Sequence, residues 1–158
     1  MAIPDYVREL RAAVGQQRLI LVGASAIIRD ERGQVLLVRR SDTGQWALPA
    51  GIMEMDEAIA ETVVREVQEE TGLQVEPVRL VGLYTDPALE NVTYPHGDQV
   101  HVVNATFECR IVCGALEPDG SETRDAAYFS LEALPPLRPA HLVRIRDALS
   151  GQQEAFFR

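Results

Sequence analysis

The apolar and polar positions along the chain follow two alternating periods. Residues 4–14 place Tyr6, Val7, Leu10 and Val14 at helical spacing behind Pro4, a favourable first-turn residue, and Gly15 stops the run. A short amphipathic helix is therefore predicted within residues 1–15. Leu19–Ile28 is almost wholly apolar and rich in β-branched residues, residues 29–33 carry turn formers, and residues 34–39 turn apolar again. That pattern predicts a hairpin with one deeply buried arm. Residues 46–49 predict a short strand ahead of Gly51. Residues 57–70 then carry a helical period through Ile59, Ala60, Val63, Val64 and Val67, with Asp56 as N-cap and Gly72 as stop. Residues 78–84, 100–111 and 127–129 read as further strands and Pro139–Leu149 as a closing helix. This irregular order suits an α/β fold, an α/β/α sandwich on a mixed sheet, better than a doubly wound parallel sheet. Without repeats or a long Pro/Gly/Ser linker, residues 1–158 are expected to form one domain.

The helix over residues 57–70 carries carboxylates where its pattern calls for apolar side chains. At roughly 100° per residue from Glu66, the apolar positions span an arc from about 20° to 160°. Glu70 falls near 40°, inside that arc, while Glu66 lies at its edge and Glu69 about 60° further toward solvent. A buried carboxylate needs a partner or becomes neutral. Three carboxylates on adjacent turns share the hard oxygen chemistry that suits Mg²⁺ or Mn²⁺. The cluster also sits at the C-terminal end of the helix, where the macrodipole disfavours negative charge, so helix stability does not explain it. Arg65 offsets part of the charge, with Glu61 and Glu69 both at i,i+4 from it.

Charge sharpens this picture. The 158 residues hold 24 acidic and 15 basic side chains, a formal charge of -9, which opposes tracking along a nucleic-acid backbone. A small anionic substrate meets the same repulsion unless cations are imported at the site. Two cysteines, Cys109 and Cys113, lack the partners and spacing of a zinc site and read as buried free thiols, which suits a reducing cytoplasm. Charged residues interrupt the first dozen positions and no apolar run approaches 18 residues, so neither export nor a membrane span is expected.

Residues 51–73, G-I-M-E-M-D-E-A-I-A-E-T-V-V-R-E-V-Q-E-E-T-G-L, resemble the signature of the Nudix hydrolases at each defining position: Gly51, Glu57, Arg65-Glu66-Val67, Glu69-Glu70, Gly72 and Leu73. Trp46-Ala47-Leu48-Pro49 ahead of the segment and Tyr128-Phe129 near the end extend the likeness over about residues 20–135. The resemblance implies the α/β/α sandwich and cleavage of a phosphoanhydride bond in a nucleoside diphosphate linked to another group. It implies that Glu66, Glu69 and Glu70, with the carbonyl of Gly51, hold Mg²⁺ (or Mn²⁺), and that Arg65 and Glu57 orient that cluster. The base for the attacking water is Glu66 or a carboxylate from a later loop, for which Glu122 is the candidate. Ala50 and Asp56 depart from the family pattern, each standing where glycine is common.

Substrate choice in this family usually lies outside the signature, which directs attention to residues 84–100, the longest irregular stretch. Tyr84, Tyr94 and His96 offer aromatic faces and hydrogen-bonding groups for a base or ribose, with a turn expected over residues 95–98. The Tyr84-Thr85-Asp86-Pro87 run resembles Nudix enzymes acting on ADP-ribose. The expected partner is a small nucleotide, with no long nucleic acid and no membrane, and the N-terminal helix serves docking or a homodimer contact. Alternatives are an (oxidised) nucleoside-triphosphate pyrophosphatase, a dinucleoside-polyphosphate hydrolase and, in another class, a non-catalytic ADP-ribose-binding regulator.

Overall fold

The computed structural model describes residues 3–94, 96–118 and 120–158. Its centre is a mixed sheet in the order β4 (Ala50–Ile52), β1 (Leu19–Ile28), β7 (Gln99–Cys113), β5 (Gln74–Tyr84) and β9 (Phe156–Phe157), with β6 (Asn91–Thr93) also paired to β7. β1 runs parallel to β7, and β5 runs antiparallel to it. A second sheet is formed by β3 (Trp46–Ala47), β2 (Val35–Arg40) and β8 (Thr123–Phe129), all antiparallel.

The expected hairpin does not form. β1 pairs with β4 and β7 and β2 with β3 and β8, and among the described residues the two meet at an isolated bridge between Arg29 and Val35. Residues 23–28 of β1 and 35–38 of β2 are buried on both faces, and each strand sits at the middle of its own sheet with neighbours on either side. An adjacent pair of apolar runs does not distinguish that arrangement from a hairpin.

Alternate residues of β1 face opposite layers. Ala24, Ala26 and Ile28 pack with Val63 and Val67 of α2 (Ile59–Thr71). Ile27 packs with Ile145 and Ala148 of α4 (Pro139–Leu149), which covers the opposite side. This is the α/β/α sandwich. Deleting a buried side chain such as Val67 typically costs about 1–3 kcal/mol. α1 (Asp5–Val14) docks through Val7 against Leu21, Ile52 and Val100, and Arg11 pairs with Asp98 at 3.2 Å.

α2 starts later than expected. Ala58 is its N-cap, Ala60 is exposed in the first turn, and Glu61 folds back to accept the Ala58 N–H at 2.8 Å, so it does not pair with Arg65. Asp56 instead occupies the loop ahead of the helix with φ +62°, the left-handed region where glycine is at ease. Gly72 ends the helix at φ 76°. Both thiols are free, but only Cys109 is buried; Cys113 is exposed and donates to the Gln74 amide oxygen at 3.1 Å.

Candidate active site

β4 and α2 bring the signature residues together. Glu66 and Glu70 lie on the inward face of α2, each 3% exposed, against the loop that carries Ala50 and Gly51. The Ala50 N–H donates to Glu70 Oε2 at 3.0 Å. Gly51 is required by close approach: a Cβ there would overlap the Glu66 carboxylate. Ala50 supplies its backbone just as glycine would, so this departure from the family pattern leaves the contact intact.

Arg65 organises the rest. Its Nε donates to Glu57 Oε1 at 2.8 Å and its Nη2 to Glu57 Oε2 at 3.1 Å, while Nη1 reaches Glu66 at 2.8 Å and Glu69 at 3.2 Å. The Ile52 carbonyl accepts from Nη2 at 3.1 Å, tying the guanidinium to the end of β4. Glu57 also accepts from the Glu54 N–H at 3.0 Å and the Thr62 hydroxyl at 2.8 Å. Those donors, Arg65 first, hold the Glu57 carboxyl down at about 2 and keep it ionised.

Glu66 and Glu70 behave oppositely. Burial pushes the Glu66 carboxyl up to about 7 against the pull of Arg65. Burial, then the neighbouring Glu66, raises Glu70 further. Three carboxylates share Arg65, and among the described residues no ion pair joins Glu70 to a cation. The donor set is hard oxygen with an excess of negative charge, which fits a divalent cation. Among the described residues no three acidic, His or Cys side chains converge as a finished cage, because Glu69 is half-exposed and turned to Arg65. The fit therefore rests on Glu66, Glu70 and the Gly51 backbone, with Glu69 within the same turn.

A cavity of about 550 Å³ opens beside this cluster, with Ala50, Gly51 and Glu70 in its wall. Trp46 and Tyr94 supply aromatic faces, and Arg40 and Arg138 supply positive charge. Tyr94 lines the cavity. His96 lies behind it, stacked on the Tyr94 ring with centroids 5.5 Å apart and 3.2 Å from Asp98, and it does not line the cavity. Tyr84 is also displaced from the expected role. It is 1% exposed, its hydroxyl donates to Asp147 at 3.1 Å, and it belongs to the packing of β5 against α4.

The stretch expected to be irregular contains α3 (Pro87–Glu90) and β6, because Asp86 caps a single turn and residues 91–93 add a strand beside β7. Of the turn expected over residues 95–98, Pro95 lies outside the described residues. Glu122 sits just before β8, where its carbonyl accepts the Ser41 N–H at 2.8 Å, one residue from Arg40 of the cavity wall.

Sequence reasoning missed part of the cavity lining. Both carboxylate oxygens of Glu90 accept from Arg144 Nη2 at 2.6 Å, and Glu90, Asn104, His141 and Arg144 are all buried residues of the cavity lining. The signal was available on α4, where His141 falls between Ile145 and Ala148 on the helical wheel, inside the buried arc.

The NUDIX domain family matches residues 19–148. A MutT-like protein of Streptomyces ambofaciens is 32% identical over 131 residues, covering 82% of this chain and 77% of that protein. An ADP-ribose pyrophosphatase of Methanocaldococcus jannaschii is 35% identical over 135 residues, covering 82% and 75%. A crystal structure of an ADP-ribose pyrophosphatase from Streptococcus suis superposes with a TM-score of 0.69 at 32% identity, covering 87% of this chain and 98% of that one. Members of this family work with divalent cations, which agrees with the carboxylate cluster on α2. With the match spanning residues 19–148 and the signature side chains assembled around Gly51 and Arg65, the chain belongs to the NUDIX family and is a hydrolase of phosphoanhydride bonds in nucleotides.

Proposed function

We propose that the chain is a Mg²⁺-dependent pyrophosphohydrolase of a nucleoside diphosphate linked to a second group, with ADP-ribose the favoured substrate. The observation that carries this is the continuity of the carboxylate cluster with a roomy, aromatic and arginine-bearing cavity: Glu70, Ala50 and Gly51 form part of the wall that also holds Tyr94, Trp46 and Arg40. A volume of about 550 Å³ lies within the usual range for small-molecule sites. The names of the relatives from M. jannaschii and S. suis support the choice of ADP-ribose.

In this reading Glu66, Glu69 and Glu70, with the Gly51 carbonyl, would hold the Mg²⁺. When bound, the cation would supply positive charge against the diphosphate and activate the attacking water. Arg65, anchored by Glu57 and the Ile52 carbonyl, keeps Glu66 pointed at the Gly51 loop. Tyr94 stacks on the nucleobase, and His96 backs its other face. Glu122, beside the Arg40 end of β2, accepts the proton of the attacking water. The chain acts as one domain in the cytoplasm, in keeping with its two free thiols.

The test is a substrate panel with purified protein and Mg²⁺: ADP-ribose, nucleotide sugars, canonical and oxidised triphosphates, and dinucleoside polyphosphates. ADP-ribose is expected to give AMP and ribose 5-phosphate with the highest kcat/KM. A preference for triphosphates would reassign the substrate. Tight ADP-ribose binding with no cleavage of any member would leave a binding protein.

A further inference from the structure

The Tyr94 side chain in the cavity wall is held by residues that precede the family-matched range. β6 pairs only three residues with β7, too short a hairpin to fix its own end. The anchors come from residues 11–16, ahead of residues 19–148. Arg11 lies in the last turn of α1 with its side chain 12% exposed and its Nε 3.2 Å from Asp98 Oδ2. Its Nη2 donates to the Gln99 carbonyl at 2.7 Å, and its Nη1 to the Gly15 carbonyl at 3.0 Å. Gln16 Nε2 donates to the His96 carbonyl at 3.0 Å. Gly97 leaves room for that amide, since a Cβ at this position would come within 2.5 Å of Gln16 Nε2. These contacts close on Tyr94. Its N–H donates to the Asp98 carbonyl at 2.9 Å, and the Gly97 N–H donates to the Tyr94 carbonyl at 2.9 Å. The His96 ring stacked on Tyr94 has its Nε2 3.2 Å from the same Asp98 oxygen that Arg11 reaches. Tyr94 and Ile52 line both the cavity and a narrow crevice beneath α1, where Val7 packs.

We propose that Arg11 and Gln16 are positioning residues for substrate binding: through Asp98 and the His96 carbonyl they fix the Tyr94 ring in the cavity wall before substrate arrives. A side chain at the end of a short hairpin samples several conformations, and a ligand that must suppress them binds less tightly. A guanidinium suits the restraint, because its planar fork reaches a carboxylate and a carbonyl together in fixed directions. Arg11 uses that fork to join Asp98 and the Gln99 carbonyl to the end of its own helix. Gln16 adds a second tie at His96, so the Tyr94 segment is linked to α1 at three residues, His96, Asp98 and Gln99. The same helix packs Val7 against Ile52, the residue after Gly51. α1 therefore spans the two sides of the site, the aromatic wall and the loop beside the carboxylates. The inference rests on the proposed stacking of Tyr94 on the base, and adds which residues hold that ring and how.

Two measurements test it, the first without any ligand. In amide hydrogen exchange, Arg11→Met and Gln16→Ala should each speed exchange at Tyr94 and Gly97 by about tenfold, while the Ala26 amide of β1, bonded to the Pro49 carbonyl, keeps its wild-type rate. Wild-type exchange at Tyr94 and Gly97 in both variants would overturn the proposal. In calorimetric titration with AMP, each substitution should weaken binding by about threefold to tenfold, the effect of having to order a freed ring. In a Tyr94→Ala background the same substitutions should weaken it no further, since the ring they hold is gone. An equal loss in that background would overturn the proposal, because Arg11 and Gln16 would then act by another route. With ADP-ribose and Mg²⁺ the effect should fall on KM more than on kcat, and a loss confined to kcat would also count against positioning. Thermal melting identifies an Arg11→Met protein that has failed to fold, in which case Gln16→Ala, a change at an exposed residue, carries the test. If AMP does not bind, or Tyr94→Ala leaves its binding unchanged, base stacking by Tyr94 fails, while exchange at Tyr94 and Gly97 still decides whether Arg11 and Gln16 hold that segment.

Discussion

The two helices that flank the central sheet both bury charge next to the cavity, and they manage it in opposite ways. On α2, Glu66 and Glu70 share too little positive charge, and burial drives both toward protonation. On α4, Arg144 is matched one to one by Glu90, whose two oxygens both accept from Nη2. The first region lacks positive charge, and the second is matched in charge. An unbalanced carboxylate cluster fits a cation, whereas a pair matched in charge needs none. The contrast shows that buried polarity by itself does not define a site's chemistry; the remaining deficit does.

The sharpest way to break that contrast is Glu70→Gln. The amide keeps the Ala50 N–H bond but loses the charge that binds metal, so turnover should fall by at least about a thousandfold, several kcal/mol of transition-state stabilisation. Melting of the metal-free variant should be unchanged or higher, because a repulsive buried carboxylate is gone. Full activity of folded Glu70→Gln would remove α2 from the metal site.

Glu122→Gln comes next. A positioned general base contributes about 10²–10⁴ in rate, so kcat should fall by that factor while KM stays nearly constant. Turnover within a few fold of wild type would return the role to Glu66.

On the balanced side, Glu90→Ala strands the Arg144 guanidinium in a buried wall and should destabilise the protein by about 3–5 kcal/mol in denaturant unfolding. Glu90→Leu combined with Arg144→Leu should recover most of that loss, since it removes both charges. If the single variant costs no more than the double one, the pair is not an isolated, self-balanced unit.

The pH dependence of stability should separate the carboxylates. Glu66 has its pKa raised from 4.5 to about 7, so its stabilising contribution is complete below pH 4.5 and is lost as pH rises through 7. Glu57 is lowered from 4.5 to about 2, so its contribution is present above pH 4.5 and is lost as pH falls toward 2. Metal-free protein should therefore lose about 3 kcal/mol between pH 5 and 8 from Glu66 alone, and Glu66→Gln should flatten that slope. Added divalent cation should oppose the loss most at high pH, where the carboxylates are ionised. A flat profile for the metal-free wild type would deny the charge deficit on α2.

The smallest effect concerns the approach to α2. Asp56→Gly relieves a left-handed backbone and offsets that gain with added freedom in the unfolded chain, for a net stabilisation of about 0.5–1 kcal/mol in thermal unfolding. Asp56→Val should destabilise by more than that, because a β-branched residue resists φ +62°.

Much of this protein was determined by sequence alone. The spacing of Ile59, Val63 and Val67 sets the buried face of α2, and the same wheel placed Glu70 within it, so the carboxylate cluster was legible from local periodicity. Gly72 as a helix stop and the Pro139–Leu149 helix were likewise local matters of backbone freedom and spacing. Tertiary structure decided which partners those elements meet. Pairing of β1 with β7, a chain distance of about 80 residues, separated β1 from β2 and cancelled the hairpin that short-range pattern suggested. It also moved Tyr84 into the core, set His96 behind Tyr94, and assembled Asn91, His141 and Arg144 from distant segments into one wall. Periodicity reports which face of an element turns inward, because that depends on neighbours a few residues away. It carries no record of what lies opposite, because contact across the core depends on the path of the whole chain.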